Sequence, residues 1–314
     1  MRKNGIVAMR NKSRTSRPSS MLFHLGALIT MIAWGASFVS TKVLLDNGLH
    51  PAEIYIYRFL LAYVMILAVS HKRILCNSVR DELLFAVCGL CAGSIYYIAE
   101  NTALEYTLAT NVSLITSLSP ILTAIMIGFL YKSERPGRGL VIGSIMAFIG
   151  VGLVVFNSSF VINVNPLGDM LSLLSAISWA IYSILLRRLN ATYTVMFIAR
   201  KTFFYGVLTA LPYLLIEPEI ASPVLLLRPA VWGNILFLGC FASMLGYIVW
   251  AQAIKVLGAV KASNYLYFQP LVTLVVSAWL LGERISWIGY TGCLMILVGV
   301  WSSDWLERRA AMRR

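Results

Sequence analysis

Apolar residues in this chain come in long continuous runs separated by short polar breaks; they do not alternate with polar ones. Ten such runs occupy residues 22–44, 52–71, 83–105, 109–131, 138–156, 168–186, 195–216, 229–254, 260–281 and 286–304. A helix crossing the hydrocarbon of a bilayer needs about 20 mostly apolar residues, so each run predicts one crossing. A membrane barrel would instead show strands of about ten residues with alternating polarity. The longest break, Asn157 to Leu167, leaves almost no chain for a soluble domain. Composition agrees: 59% of the 314 residues are hydrophobic and 12% charged, against about 25% charged in an ordinary soluble domain. The expected class is an all-α membrane protein with ten transmembrane helices.

Basic residues set the orientation. With the N-terminus inside, 20 of the 26 Lys and Arg fall on the cytoplasmic side, while Lys42, Arg228 and Arg284 fall outside. This satisfies the positive-inside rule and predicts a multi-pass protein of the cytoplasmic (inner) membrane with both termini cytoplasmic. Residues 1–21 read as a basic, solvated tail, because "GIVAM" is too short for the apolar core of a signal peptide; Met9 and Met21 are alternative starts. Residues 306–314 form a second basic tail. Contact with anionic lipid at the inner leaflet accounts for the net charge of +13, and no nucleic-acid-binding motif accompanies it.

The chain also repeats itself. Residues 89–124 align at an offset of 150 with residues 239–274, pairing Gly89 with Gly239, Tyr97 with Tyr247, Ser113 with Ser263 and Pro120 with Pro270. At an offset of 149, Glu134-Arg135 pairs with Glu283-Arg284, Gly143 with Gly292 and Gly150 with Gly299. Ala33-Trp34 corresponds more loosely to Ser178-Trp179. Five crossings per half is an odd number, so the halves are expected to insert in opposite senses, as two inverted five-helix repeats.

The stretches "AWGASFVSTKVLLDNGLHPAEIYIYRFLLAYVMI" (33–66), "NTALEYTLATNVSLITSLSPILTA" (101–124) and "ERPGRGLVIGSIMAFIGVGLVV" (134–155) resemble successive parts of one EamA repeat of the drug/metabolite transporter superfamily. "GERISWIGYTGCLMILVGV" (282–300) resembles the end of a second copy. The resemblance places one repeat at 22–157 and the other at 166–305. It implies ten helices, a central cavity for a small-molecule substrate and alternating access. It does not imply one substrate, because the family includes amino-acid exporters, sugar and nucleotide-sugar carriers and other metabolite permeases. Efflux of amino acids or related metabolites by a permease is the leading assignment from the resemblance. Import or exchange of a nucleotide-like or adenosyl metabolite, which stacking aromatics with Asn and Gln would suit, is the alternative. A membrane-embedded enzyme or sensor is the reading from another class, but no catalytic cluster or signalling domain is visible.

Residue chemistry points to the same place. A proline inside a helix removes one backbone hydrogen bond and displaces the carbonyl four residues earlier. Pro120 and Pro270 fall near the middle of the fourth and ninth runs, and freed carbonyls at that depth are tolerated only where protein or a wet cavity satisfies them. Asn111, Thr116, Ser117 and Ser119 flank the first break; Asn264, Tyr267 and Gln269 flank the second. With Trp34, Ser37, Tyr97, Tyr182, Tyr247 and Trp250 they would line a pocket of aromatic faces and hydrogen-bonding groups. The competing structural roles are interhelical glue for Ser, Thr and Asn, and interfacial belts for Trp and Tyr.

Charges inside the apolar runs need partners. Glu100 and Arg58 lie at nearly the same depth, so they are expected to neutralise each other beside an outward-opening vestibule with Lys42 at its rim. Arg200 occupies the place of Arg58 in the second half and Trp250 that of Glu100; Arg200 and Lys201 are expected to snorkel to the cytoplasmic face. Histidines at span ends are expected to be solvated there. Cys88 and Cys91 read as packing residues, and the five cysteines show neither a disulfide nor a metal framework. No nucleotide-binding loop or catalytic triad appears, so no cofactor, metal or enzyme activity is expected. Small residues four apart, Gly139, Gly143 and Ala147 in the fifth run and Gly289 and Cys293 in the tenth, suit close packing or a homodimer surface.

Overall fold

The structure is a computed structural model that describes residues 20–71, 74–107, 109–131, 137–155, 165–214, 221–281 and 286–312. Among these residues each apolar run coincides with one helical stretch. They are α1 (Ser20–Asp46), α2 (Pro51–Val69), α3 (Val79–Tyr106), α4 (109–130), α5 (Arg138–Val155), α6 (Pro166–Leu189), α7 (Val195–Leu214), α8 (Pro229–Leu257), α9 (259–281) and α10 (Trp287–Met312). By length and composition α1, α2, α3, α6 and α8 are each sufficient to cross a membrane. Glu134-Arg135, Glu283-Arg284 and most of the N-terminal tail lie outside the described residues.

Local chemistry sets the ends. Ser78 caps α3 by accepting the Asp81 amide at 3.2 Å, so the helix starts at Val79, ahead of the apolar run itself. Asn165 caps α6 through the Leu167 and Gly168 amides, with Pro166 in the first turn where its missing N–H costs nothing. Glu53 in the first turn of α2 accepts the His50 amide at 3.0 Å. The tight corners between α1 and α2 and between α8 and α9 hold Gly48 and Gly258 at φ of +92° and +87°, a region glycine enters without a Cβ penalty.

Burial runs opposite to that of a water-soluble fold. Ile29, Phe129 and Trp279 are 66%, 81% and 82% exposed, whereas Glu53, Arg58, Glu100, Arg200 and Lys201 are buried. An apolar exterior around a core that holds the polar and charged groups is what lipid selects, and the chain is a multi-pass membrane protein.

Helix contacts are exchanged between the halves. α1 packs on α8 and α9 while α6 packs on α3 and α4; α2 packs on α8 while α7 packs on α3. α5 and α10 pack along each other. A Cβ on Gly150 would lie 2.7 Å from the Gly292 carbonyl, and one on Gly299 would lie 2.8 Å from the Gly143 carbonyl. Since Gly143 matches Gly292 and Gly150 matches Gly299, each contact is the counterpart of the other, as a two-fold relation produces. The small-residue rows of α5 and α10 are thus consumed within one chain.

The helices break at matched places, though not as two simple kinks. α4 ends a first segment at Thr116 and starts a second at Ser119, so Pro120 sits in the first turn of a new helix. α9 passes through a 3-10 stretch, Asn264–Tyr267, before Phe268–Leu281, which carries Pro270 near its start. The Thr116 carbonyl, freed by Pro120, accepts the Ser119 hydroxyl at 2.7 Å. α3 and α8 each widen into a π-helical segment, Leu90–Ser94 and Phe237–Leu245, where the Ile95 and Gly246 amides reach back five residues to the Leu90 and Phe241 carbonyls. Side chains of the opposite half take up carbonyls in these wider turns. The Tyr247 hydroxyl donates to the Ala92 carbonyl at 2.5 Å, the Ser178 hydroxyl to the Cys91 carbonyl at 2.5 Å, and the Trp34 indole N–H to the Ala242 carbonyl at 2.7 Å.

Two stability measurements on purified protein in detergent check these contacts. Gly150→Val forces a side chain into the α10 backbone and is expected to cost about 1–3 kcal/mol, read as a lower thermal-unfolding midpoint. Tyr247→Phe strips the Ala92 carbonyl of its partner and is expected to cost about 1 kcal/mol, whereas Tyr97→Phe, whose hydroxyl contact to Tyr247 is 3.5 Å long, costs a few tenths.

Candidate functional site

Two pairs of repeat-related residues touch each other. The Tyr97 and Tyr247 hydroxyls are 3.5 Å apart, and the Trp34 and Trp179 rings meet edge to face with centroids 5.1 Å apart. A residue can contact its own counterpart only close to the axis relating the halves, so these four mark the centre of the molecule. Trp250 packs on Trp34 at 5.3 Å, Tyr182 on Trp179 at 5.2 Å, and Phe59 on Tyr247 at 5.6 Å, giving a continuous aromatic body.

A small cavity of about 20 Å³, room for about one water molecule, lies against this body. Its walls are Trp34, Ser37 and Phe38 from α1, Tyr96, Tyr97 and Glu100 from α3, Thr116 and Ser119 at the α4 break, Trp179 from α6, and Leu266 and Gln269 at the α9 break. Aromatic and apolar walls with a few placed polar groups are the chemistry of small-ligand sites, and in this conformation the space between them is closed down to about a water's volume. Of the residues the sequence nominates, Trp34, Ser37, Tyr97, Glu100, Thr116, Ser119 and Gln269 line it. Tyr247, Trp250 and Tyr182 are buried in the aromatic body behind it. Ser117 turns away, its hydroxyl donating to the Ser113 carbonyl at 2.7 Å. Pro120 and Pro270 are buried, and they start the helical segments that follow Thr116 and Leu266, two of the cavity's walls. The Asn111 side chain lies outside what is described.

Asn264 and Tyr267 depart from expectation. Asn264 accepts the Ser144 hydroxyl at 3.2 Å, and Tyr267 packs with Ala147, Leu274 and Ile296, so both serve the contact of α9 with the α5–α10 pair and do not line the cavity. The 3-10 stretch is responsible, because three residues per turn rotate these side chains off the face a regular helix would present.

Among the described residues Arg58 and Glu100 make no direct ion pair; their charges still attract, and each is held by other partners. Arg58 donates from Nε to the Ser243 hydroxyl at 2.9 Å and lies over the Tyr97 ring, 4.3 Å from its centroid. Glu100 accepts the Tyr96 hydroxyl at 3.0 Å, and the Tyr96 and Tyr97 rings pack edge to face. A cation over a desolvated aromatic face is stabilised by roughly 0.5–2 kcal/mol, which helps to hold Arg58 inside the bundle. Lys42 is not at the cavity; it is exposed and pairs with Asp46 one turn along α1 at 3.3 Å. His24 also finds a protein partner, the Tyr265 hydroxyl.

Sequence reasoning missed Tyr96, Phe38, Trp179 and Leu266 as walls. Tyr96 carried a signal: it lies four residues before Glu100, the spacing that brings side chains together on a helix. Trp179 was visible only as the repeat partner of Trp34. Phe38 and Leu266 had no signal beyond their place in apolar runs.

The far end of the bundle is closed by polar contacts between the halves. Glu82, 18 residues before Glu100 on α3 and so about 27 Å away at 1.5 Å per residue, accepts Lys201 and the Tyr205 hydroxyl from α7 and the Cys76 amide at 3.3 Å. Arg200 donates to the Ser70 carbonyl. Tyr193 donates to Asp81 at 2.7 Å and accepts the Asn77 amide at 2.8 Å. Arg200 and Lys201 are therefore buried, the first tied to Ser70 just after α2 and the second to Glu82 in the first turn of α3. Burial, reinforced by the hydrogen bond and charge of Glu82, pushes the Cys76 thiol up to about 12. Among the described residues no cluster of His, Cys, Asp and Glu is arranged to hold a metal ion.

Known proteins share this architecture. A transporter of Archaeoglobus fulgidus whose function is uncharacterised is 29% identical over 88% of this chain and 96% of its own length. A probable terminal-alkyne amino-acid exporter of Streptantibioticus cattleyicolor is 24% identical over 91% of this chain and 94% of its own. A solved crystal structure superposes with a TM-score of 0.73, covering 94% of this chain and 99% of that one at 19% identity, which shows the same fold. The model of the EamA-like transporter family matches residues 21–156 and again 166–303, so the chain belongs to the EamA-like transporter family.

Proposed function

We propose that this protein is a secondary transporter that moves small metabolites, amino acids or related compounds, out of the cell by alternating access. The observation that carries the reading is the position of the cavity, where both interrupted helices face the aromatic pairs on the axis between the halves. The Gln269 amide has no hydrogen-bond partner among the described residues and reaches the cavity wall, so a solute is its natural partner. Efflux of amino-acid-like solutes is supported by the exporter of Streptantibioticus cattleyicolor.

In this reading all ten helices cross the cytoplasmic membrane, 22–157 and 166–305 are inverted repeats, and the basic tails 1–21 and 306–314 are cytoplasmic. The cavity then belongs to the outer half of the bilayer, and the Glu82–Lys201–Tyr205 contacts close the cytoplasmic side. Alternating access needs those contacts to part and the aromatic body to separate along the two-fold. One chain supplies the whole path, and a homodimer is not needed for it.

Flux of labelled amino acids into proteoliposomes, run with and without a pH gradient, tests the reading; Gln269→Ala is expected to lower it about five- to tenfold with the protein still folded. No flux above empty vesicles across the panel would refute it. The cytoplasmic closure has its own measurement, in a chain keeping Cys76 as its one cysteine. Because the raised thiol is protonated at about pH 8, maleimide labelling is expected to be slow there. Glu82→Gln removes a hydrogen bond and a negative charge that raise the thiol, so it is expected to speed labelling.

A further inference from the structure

We infer that the cavity recognises its solute through a protonated amine, and that a carboxylate on the solute is dispensable. The inference rests on the transporter reading and names the substrate class of the same site. Glu100 is 7% exposed and lines the cavity, and among the described residues the Tyr96 hydroxyl on Oε1 is its one hydrogen-bond partner. A buried carboxylate holds about four acceptor positions, so one phenol leaves most of its capacity unused.

The remaining walls sort ligands by charge. Among the described residues no Lys, Arg or His lines the cavity. The one guanidinium nearby, that of Arg58, is 1% exposed, spends its Nε on Ser243 and lies against the Tyr97 ring, so the solute meets an aromatic ring and not a cation. Trp34, Trp179 and Tyr96 present π systems on the same cavity, and aromatic faces attract cations and an apolar body alike. Gln269, also 7% exposed and without a side-chain partner among the described residues, adds a neutral acceptor for an N–H. One anion and several aromatic faces on the wall, with Arg58 held off the lining, favour an ammonium group on an apolar or aromatic frame. A solute carboxylate would still be repelled by Glu100, whose charge Arg58 offsets in part from outside the lining, unless it pointed away, so an amino acid binds by its amine, and its decarboxylated counterpart binds at least as well.

The experiment uses the full chain in lipid nanodiscs, with quenching of intrinsic tryptophan fluorescence as the binding signal. The probes are phenethylamine, its neutral N-acetyl derivative, 3-phenylpropionate and phenylalanine. Phenethylamine is expected to bind about tenfold or more tighter than the neutral derivative and 3-phenylpropionate, and no weaker than phenylalanine. Glu100→Gln, checked for folding by its thermal-unfolding midpoint, is expected to shrink the preference to about twofold or less, while Glu100→Asp retains part of it. Equal binding of the neutral or anionic probe by the native chain, no saturable binding of phenethylamine, or an unchanged preference in Glu100→Gln would each overturn the inference. The native-chain comparison stands even if a variant misfolds. Flux that ignores solute charge refutes the amine site and leaves transport intact, whereas absence of flux refutes transport itself.

Discussion

Bilayer hydrocarbon holds no water to solvate a peptide group, so a carbonyl that a helix releases must be taken up by the same chain. Most of what is specific about this fold answers that constraint. α3 and α8 widen at matched places, and the carbonyls of Ala92 and Ala242, counterparts in the repeat, accept Tyr247 and Trp34 from the other half. The break in α4 is closed more locally, by the Ser119 hydroxyl on the Thr116 carbonyl. Irregular backbone thus sits where the two halves meet, and the side chains that satisfy it also hold the halves in register. Gly246 shows how tight the fit is: a Cβ there would lie 2.7 Å from the Trp34 indole nitrogen, so only glycine leaves room for that donor.

Charge is handled by a different device. Isolated charges in hydrocarbon cost several kcal/mol, and a direct ion pair is the obvious remedy. Here Arg58 is spread over a tyrosine ring and a serine hydroxyl, and Glu100 keeps a tyrosine hydroxyl as its companion. Keeping the pair apart leaves a carboxylate facing a cavity, which a closed ion bridge would have concealed. A fully paired arrangement would serve stability better; an incompletely satisfied one serves recognition of a solute.

The two ends of the bundle differ although the centre is nearly symmetric. At one end Glu82 gathers Lys201 and Tyr205 from the opposite half. At the other, Glu53 accepts the His50 and Ala221 amides, the second at 2.9 Å, so a carboxylate there holds backbone and no cation.

Several properties follow from the sequence alone, because they are one-dimensional. Run length and continuity predict helices of membrane length, and the offset of 150 predicts that Tyr97 and Tyr247 are counterparts. The matched Pro120 and Pro270 locate the breaks to within a turn, and Trp34, Ser37, Tyr97, Glu100 and Gln269 are legible as cavity walls by their depth and chemistry. Tertiary structure alone decided which way each helix turns about its axis. A 3-10 stretch carried Asn264 and Tyr267 to the α5 side, Arg58 came to lie over the Tyr97 ring, and Trp179 reached the cavity. Depth in a membrane is counted along the chain, but rotation and the partner of a freed carbonyl are set by residues a hundred or more positions away, and no local pattern records them.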